Sequence, residues 1–222
     1  DSIRIISNED VIANDFNLNI SRYFQDEIDG VKLKDFLTYF RVKREYLPKN
    51  GKIIRIRDLK DDKIDFELNI QEIEELPINR SGINKIDISC LLLAVKWKTL
   101  KPTYFQFDNQ PIFNGSDILP FIVDDSKVDT RYLINELHSD YVQKQINSFR
   151  QGTTIPFIKR DDLLEVRVKL PSIEEQRAKV EWLLEISEKI KQLQNERNAL
   201  AHGVSTKEFN EFASLKHTLG RP

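Results

Sequence analysis

Hydrophobic and polar residues alternate in short runs through the middle of the chain, and a period of two predicts β-strands. Predicted strands occupy residues 52–57, 64–70, 85–97, 103–107, 111–113, 119–123, 155–158 and 164–170. Turn-forming pairs, among them Asn50-Gly51 and Asp61-Asp62, separate the earlier runs. The most apolar run, residues 88–95, contains the single cysteine, Cys90, which we expect to be a small residue of the core.

The period changes to that of a helix in two later segments. Apolar residues recur at helical spacing from Thr130 to about Arg150, behind a capping Asp129. Ser172 followed by Glu175 is a capping box, so a second helix begins there and can continue to Gly203. A further capping box, Ser205 with Glu208, predicts a short helix after it.

The second helix carries a coiled-coil seam, because its apolar residues recur in alternating steps of three and four. The seam positions, which we predict to contact a partner helix, are Leu183, Ile186, Ile190, Leu193, Arg197 and Leu200. Arg197 is the one charged residue among them, and it can mark the register or meet an acidic residue of a partner.

These patterns predict an α+β fold, with a mixed, strand-rich domain followed by a long coiled-coil-type helix. We expect an acidic lead-in at 1–29, the mixed domain at 30–170, the long helix at 171–203 and a short helical tail at 204–222. The chain has no methionine, so we expect it to be a segment of a larger protein. No apolar run approaches the roughly 20 residues of a membrane span, and the lone cysteine fits a reducing compartment such as the cytoplasm.

The charge distribution is more informative than its sum. The formal net charge is −2, which alone argues against a simple electrostatic binder of nucleic acid. Segment 31–60 nevertheless holds ten basic and three acidic residues, and segment 61–76 holds seven acidic residues and one lysine. A near-neutral total therefore conceals one strongly basic stretch.

Common catalytic signatures are missing from the sequence. It contains no P-loop, no glycines two apart, no Glu-x-Lys tripeptide and no Asn-Pro-Pro or Asp-Pro-Pro tetrad. The three histidines are far apart, and none has a cysteine or histidine at ligand spacing. We expect a non-catalytic module with no metal site and no cofactor.

Four blocks, in order, resemble one family. Residues 15–24 (DFNLNISRYF) are similar to the segment that closes the N6-adenine methylase subunit of type I restriction-modification systems. Residues 119–137 and 143–156 resemble parts of a target-recognition domain, including its Gly-Thr-Thr turn. Residues 163–176 (LLEVRVKLPSIEEQ) resemble the junction between that domain and its spacer helix, and this block is the most specific.

This resemblance implies a type I specificity subunit, although the chain has one recognition domain and one spacer helix where a complete subunit has two of each. It implies sequence-specific recognition of double-stranded DNA that directs adenine methylation or restriction. Implied partners are an N6-adenine methylase domain or subunit, a restriction subunit, and a second recognition half or second copy through the long helix.

A DNA-reading domain needs basic side chains that hold phosphates. Three clusters are candidates: Arg41, Lys43 and Arg44; Lys96, Lys98 and Lys101 around Trp97; and Arg150, Lys159 and Arg160 around Gly152. Each cluster could equally be solvated surface charge.

Two other functions stay open on the sequence alone. The chain could be a protein-interaction adaptor that acts through the heptad helix. The segment from His217 to Pro222 resembles the phospho-accepting box of sensor histidine kinases, which would make the chain a fragment of such a regulator.

Overall fold

A computed structural model describes residues 5–13, 16, 23, 28–41, 47–78, 82–152 and 154–203, with side chains up to residue 198. Its helices are α1 (Asn8–Ala13), α2 (Thr130–Leu137), α3 (Asp140–Phe149), α4 (Arg160–Leu164) and α5 (Ile173–Gly203). Its strands are β1 (Val31–Lys32), β2 (Leu37–Tyr39), β3 (Asn50–Ile54), β4 (Glu75–Pro77), β5 (Asn84–Ile86), β6 (Cys90–Ala94), β7 (Thr103–Phe105), β8 (Ile112–Asn114), β9 (Ile118–Val123) and β10 (Arg167–Val168). This mixture of helices and sheets confirms the predicted α+β class.

Strand β6 lies inside a four-stranded antiparallel sheet of order β2-β9-β6-β7. All five residues of β6 are buried, as expected of a strand that is apolar on both faces. Cys90 is 1% exposed, which confirms it as a core residue, and burial raises the pKa of its thiol.

A second four-stranded sheet, of order β4-β3-β8-β5, packs on the first through a common core. Within it β3 and β8 run parallel, and the other pairs are antiparallel. Ile54 and Ile112 of this sheet belong to the same hydrophobic cluster as Leu92 and Phe105 of the first. The two sheets therefore form one core.

A two-stranded sheet closes the domain, because β1 pairs with β10 and brings residues 31 and 168 side by side. Lys32 and Lys34 both donate to Glu165, at 2.6 and 2.8 Å. Gly30 lies so close to this strand that a Cβ would stand 2.7 Å from the carbonyl oxygen of Val168. The two ends of the mixed domain therefore meet.

Several strand predictions were wrong in extent. Residues 85–97 form two strands, β5 and β6, which belong to different sheets. Residues 64–70 contribute only a bridge from Glu67 to Tyr104, because Asn69 caps a 3-10 turn that follows at once. Residues 155–158 likewise contribute only the bridge between Gln151 and Phe157.

Gly51 lies within β3, not in a turn as predicted. A Cβ at this position would stand 2.4 Å from the Phe113 ring of the neighbouring strand β8, so glycine serves a close approach. The strand ends at Ile54, and a 3-10 turn replaces the predicted strand from Ile56. The prediction for 164–170 was also too long, since α4 takes its start and β10 is two residues.

The predicted helix from Thr130 to Arg150 divides into α2 and α3. Its start is confirmed, because the Asp129 carboxylate accepts from the backbone N–H groups of Arg131 and Tyr132. It breaks at Ser139, whose backbone is extended and whose N–H and hydroxyl both donate to the Glu136 carbonyl.

The capping box of α5 is confirmed, since Ser172 and Glu175 exchange hydrogen bonds of 2.9 and 3.3 Å. The chain divides into two compact units, residues 1–177 and 178–222, so the first unit includes the start of α5. Most of the lead-in 1–29 and all of the tail 204–222, with Ser205 and His217, lie outside the described residues.

Candidate nucleic-acid interface

Residues 95–102 connect β6 to β7 and expose Lys96, Trp97 and Lys98. Backbone hydrogen bonds close the base of this loop, from the Ala94 N–H to the Leu100 carbonyl at 2.6 Å and from the Val95 N–H to the Asp117 carbonyl at 2.9 Å. The loop is therefore fixed where it leaves the sheet.

Lys101 holds the far side of this loop. Its backbone is left-handed, with a φ of 44°, and its ammonium group donates to the carbonyls of Ile56 and Leu59 at 3.0 and 2.9 Å. Because two of its three donors bind the protein itself, we assign Lys101 a structural part and leave it out of the proposed DNA contacts.

The segment from Arg150 to Arg160 lies against the same loop. The Arg150 guanidinium donates to the Lys98 carbonyl, and the Ile158 N–H donates to the Val95 carbonyl at 2.9 Å. Burial lowers the pKa of Arg150, so this side chain also acts within the fold. Gly152, with a φ of 86°, makes the turn whose ends are tied by two 2.8 Å bonds between Gln151 and Phe157.

Lys159 and Arg160 begin α4 next to this segment, and both are exposed. The Arg160 guanidinium lies 5.0 Å from the centre of the Tyr39 ring. Tyr39 is the last residue of β2 and precedes the exposed Arg41 by two residues. These contacts link the chain segments that carry the three predicted clusters. We call Arg41, Lys96, Lys98, Lys159 and Arg160 the basic surface.

Acidic neighbours reduce the charge of the basic surface unevenly. Lys96 pairs with Asp117 at 2.6 Å, and Arg160 pairs with Asp161 at 3.1 Å. Lys98 and Lys159 form no ion pair with any residue that the structure describes. The charge of these two lysines is therefore less compensated than that of Lys96 and Arg160. Lys43 and Arg44 lie outside the described residues.

A cleft of about 600 Å³ lies between the turn at 56–58, the second sheet and β9. Arg55 and Arg57 line it and are exposed, and Asp117, the partner of Lys96, lines it too. Both arginines belong to the basic stretch of the sequence but were not among the predicted DNA contacts. The alternation of isoleucine and arginine at residues 53–57, which turns the arginines outward, was the signal that could have identified them.

Helix α5 presents a partly exposed apolar stripe. Leu183 and Ile186 are partly buried, whereas Ile190 and Leu193 are 47% and 64% exposed. Trp182, one turn before Ile186, is 58% exposed and extends the stripe, although the heptad did not include it. Arg197 is exposed, and the side chain of Leu200 is not among those that the structure describes.

Neither a metal-binding cluster nor a membrane-spanning helix occurs among the described residues. Nowhere among the described residues do three metal-binding side chains gather into a site that could hold an ion. In the part of the chain that the structure covers, every helix is too short or too polar to cross a bilayer.

Comparison with known proteins identifies the family. Residues 26–202 match the family model described as the type I restriction modification DNA specificity domain. A curated relative, the Type I restriction enzyme MjaVIII specificity subunit of Methanocaldococcus jannaschii, is 32% identical over 80 residues, which are 36% of this chain and 19% of the relative. These matches confirm the resemblance to a type I specificity subunit and the prediction of a specificity module rather than a catalytic one. The similarity of residues 15–24 to a methylase segment stays a prediction, because the family match begins at residue 26.

One solved structure agrees on the fold, and a second match is weaker. A chain from a study of complex assembly and conformational transition of the type I R-M system matches with a TM-score of 0.53 and 16% identity, over 79% of this chain and 43% of that one. The HsdS subunit from Thermoanaerobacter tengcongensis matches with a TM-score of 0.48 and 16% identity, over 90% of this chain and 48% of its own. The chain thus spans less than half the length of these relatives. Since the family model covers more than half of its residues, the chain belongs to the type I restriction-modification DNA specificity domain family.

Proposed function

We propose that this chain recognises one part of a double-stranded DNA target and that the basic surface holds the DNA backbone. The observation that carries this proposal is that contacts within a specificity-family domain link three separate chain segments that expose basic side chains. Lysine and arginine contacts to phosphates fix the position and register of a protein on the duplex, and other side chains then read the bases.

The concentration of positive charge on one surface supports this function. With a net charge of −2, the chain as a whole has little attraction for DNA, so binding must come from a surface where positive charge is concentrated. Lys98 and Lys159 are free to contact phosphates, whereas Lys96 would first have to share or leave Asp117. We expect the two free lysines to contribute most.

In this proposal the chain directs adenine methylation or restriction by other components, in the cytoplasm. Its partners are an N6-adenine methylase domain or subunit and a restriction subunit. The exposed stripe of α5, from Trp182 to Leu193, supports contact with a helix of a second recognition half or of a second copy.

A charge-removal experiment tests the proposal. Replacing Lys98, Lys159 and Arg160 with Ala takes the net charge from −2 to −5, and so does the matched control with Ala at Arg177, Lys189 and Lys191 of α5. Loss of three phosphate contacts makes the slope of log K against log salt concentration less negative by roughly 2–3, since each contact contributes about 0.9. The measurement is duplex binding by fluorescence anisotropy across a salt series.

The control separates a specific surface from a general effect of charge. We expect its slope to equal that of the unsubstituted chain. Equal slopes for both triple variants would remove the basic surface from the function. Salt-independent binding by the unsubstituted chain would favour the protein-adaptor alternative.

A further inference from the structure

Trp97 combines three properties that rarely occur together. Its large apolar side chain is 42% exposed, it lies between Lys96 and Lys98, and its loop is fixed on several sides. Exposing an indole ring to water forgoes the free energy that its burial would supply, so its display by a fixed loop needs a reason.

The loop around Trp97 resists movement. Its base is closed by the bond from Ala94 to Leu100, and the side chain of Leu100 is fully buried. One flank is tied by Arg150 to the Lys98 carbonyl, and the Thr99 hydroxyl donates to Asp61 at 2.8 Å. A side chain carried on such a loop can press into a ligand without folding away, which lowers the entropic cost of binding.

A second exposed apolar side chain lies in the adjoining segment. Ile155 is 63% exposed, and its segment is bonded to the Trp97 loop through the Ile158 N–H and the Val95 carbonyl. The basic surface thus carries two apolar side chains on neighbouring connections. Solvated surface charge alone does not require this, whereas proteins that distort DNA use apolar wedges flanked by basic residues.

We propose that Trp97 inserts at a base step of the bound duplex and stacks on a base that this step exposes. The lysines that precede and follow it in sequence are exposed and can hold the phosphates that flank an opened step, Lys96 after release from Asp117. Stacking an aromatic ring on a base recovers free energy, which offsets part of the cost of unstacking the step. This inference rests on the proposed DNA-binding function.

Base-analogue fluorescence tests the insertion. The duplex is one enriched by the full chain from a randomised pool, with 2-aminopurine at each adenine or pyrrolocytosine at each cytosine in turn, so that every base pair is probed. We expect the fluorescence of one or two adjacent positions to rise severalfold when the chain binds. Trp97→Ala should abolish the rise, and Trp97→Phe should retain part of it.

A second readout follows the tryptophan itself. The chain has two tryptophans, so Trp182→Phe leaves Trp97 as the single one, and its emission should be quenched as the duplex is added. Thermal unfolding of Trp97→Ala serves as the folding control. Because the ring is exposed, we expect a change in the melting temperature of only a few degrees.

The outcomes distinguish a failure of the Trp97 insertion from a failure of the proposed DNA-binding function. No rise at any position under saturating binding, or a rise that survives in Trp97→Ala, overturns the insertion while DNA binding stands. A Trp97 contact with a thymine methyl group alone would give quenching without the analogue rise, and would overturn it too. Absence of salt-dependent binding in the unsubstituted chain would instead contradict the proposed function.

Discussion

Gln176 joins the start of α5 to the recognition domain, and its replacement gives a sharp prediction. Its side chain is 0% exposed. Its carbonyl oxygen accepts from the Asp129 N–H at 2.9 Å, and its amide nitrogen donates to the carbonyls of Pro171 and Lys127 at 2.9 and 3.2 Å. One buried amide thus satisfies three backbone groups from two stretches of the chain, residues 127–129 and residue 171.

Gln176→Leu keeps most of the side-chain volume and removes all three bonds. Each buried backbone group left without a partner costs about 1–3 kcal/mol, and the lower end applies because the bonds lie in partly buried surroundings. We expect a loss of roughly 2–4 kcal/mol in the free energy of unfolding. For a domain of about 150–250 residues this lowers the melting temperature by roughly 4–16 °C.

Calorimetry and urea unfolding measure this loss, with Glu174→Gln as the control at an exposed position of the same turn. The control should stay within about 0.5 kcal/mol of the unsubstituted chain. If Gln176→Leu also stays within that range, the three bonds do not matter for stability and the reasoning fails.

Gln176→Glu adds a test by pH. A buried carboxylate facing two carbonyls is disfavoured, so its pKa is raised in the folded state, and the folded state takes up a proton more readily. Stability relative to the unsubstituted chain should therefore recover as the pH falls. A deficit that does not change with pH would contradict this picture of the site.

Four further outcomes follow from the structure. Gly51→Ala should cost about 1–3 kcal/mol in urea unfolding, since its Cβ would stand 2.4 Å from the Phe113 ring, and an unchanged midpoint would contradict that packing. Glu165→Gln should cost about 0.2–1 kcal/mol at neutral pH, and less in high salt. Its two lysine partners lower the pKa of Glu165, so its contribution is present above the unfolded-state pKa and is lost as the pH falls through the folded one. A variant that matched the unsubstituted chain at both neutral and acidic pH would refute it. Cys90 should react with a disulfide reagent only when the protein unfolds, because it is buried and its pKa is raised, so rapid labelling of the native protein would be inconsistent with the fold. Ile190→Glu should weaken self-association in light scattering, and strictly monomeric behaviour of the unsubstituted chain at high concentration would argue against a second copy as the partner of α5.

The sequence predicted best those features that depend on neighbouring residues. The cap at Asp129 and the capping box at Ser172 appear as predicted, because each needs only a short side chain at a fixed distance from backbone donors. The burial of Cys90 followed from its apolar run. Each of these features is decided within a few residues of sequence.

Features that depend on distant partners were predicted less well. The sequence could not show that residues 85–97 cross from one sheet to the other, since only the pairing of β5 with β8 and of β6 with β9 distinguishes the two strands. Gly51 suggested a turn, but the reason for a glycine there is a phenylalanine in another strand. Packing across the chain decided both cases.

The candidate site shows the same division. Charge and position selected Lys98 and Lys159, which are exposed, but also Lys101 and Arg150, which bind backbone carbonyls. A basic side chain that serves the fold looks the same in sequence as one that serves DNA. Only the carbonyl oxygens that surround it reveal the difference.

Selection from a randomised pool of duplexes is the most direct test of the central claim that this chain reads DNA sequence. The full chain is bound to the pool at moderate salt, retained duplexes are sequenced over successive rounds, and the variant with Ala at Lys98, Lys159 and Arg160 is run in parallel. We expect one short enriched motif for the unsubstituted chain and a much weaker one for the variant. Retention of duplexes with no enriched motif after several rounds would contradict it.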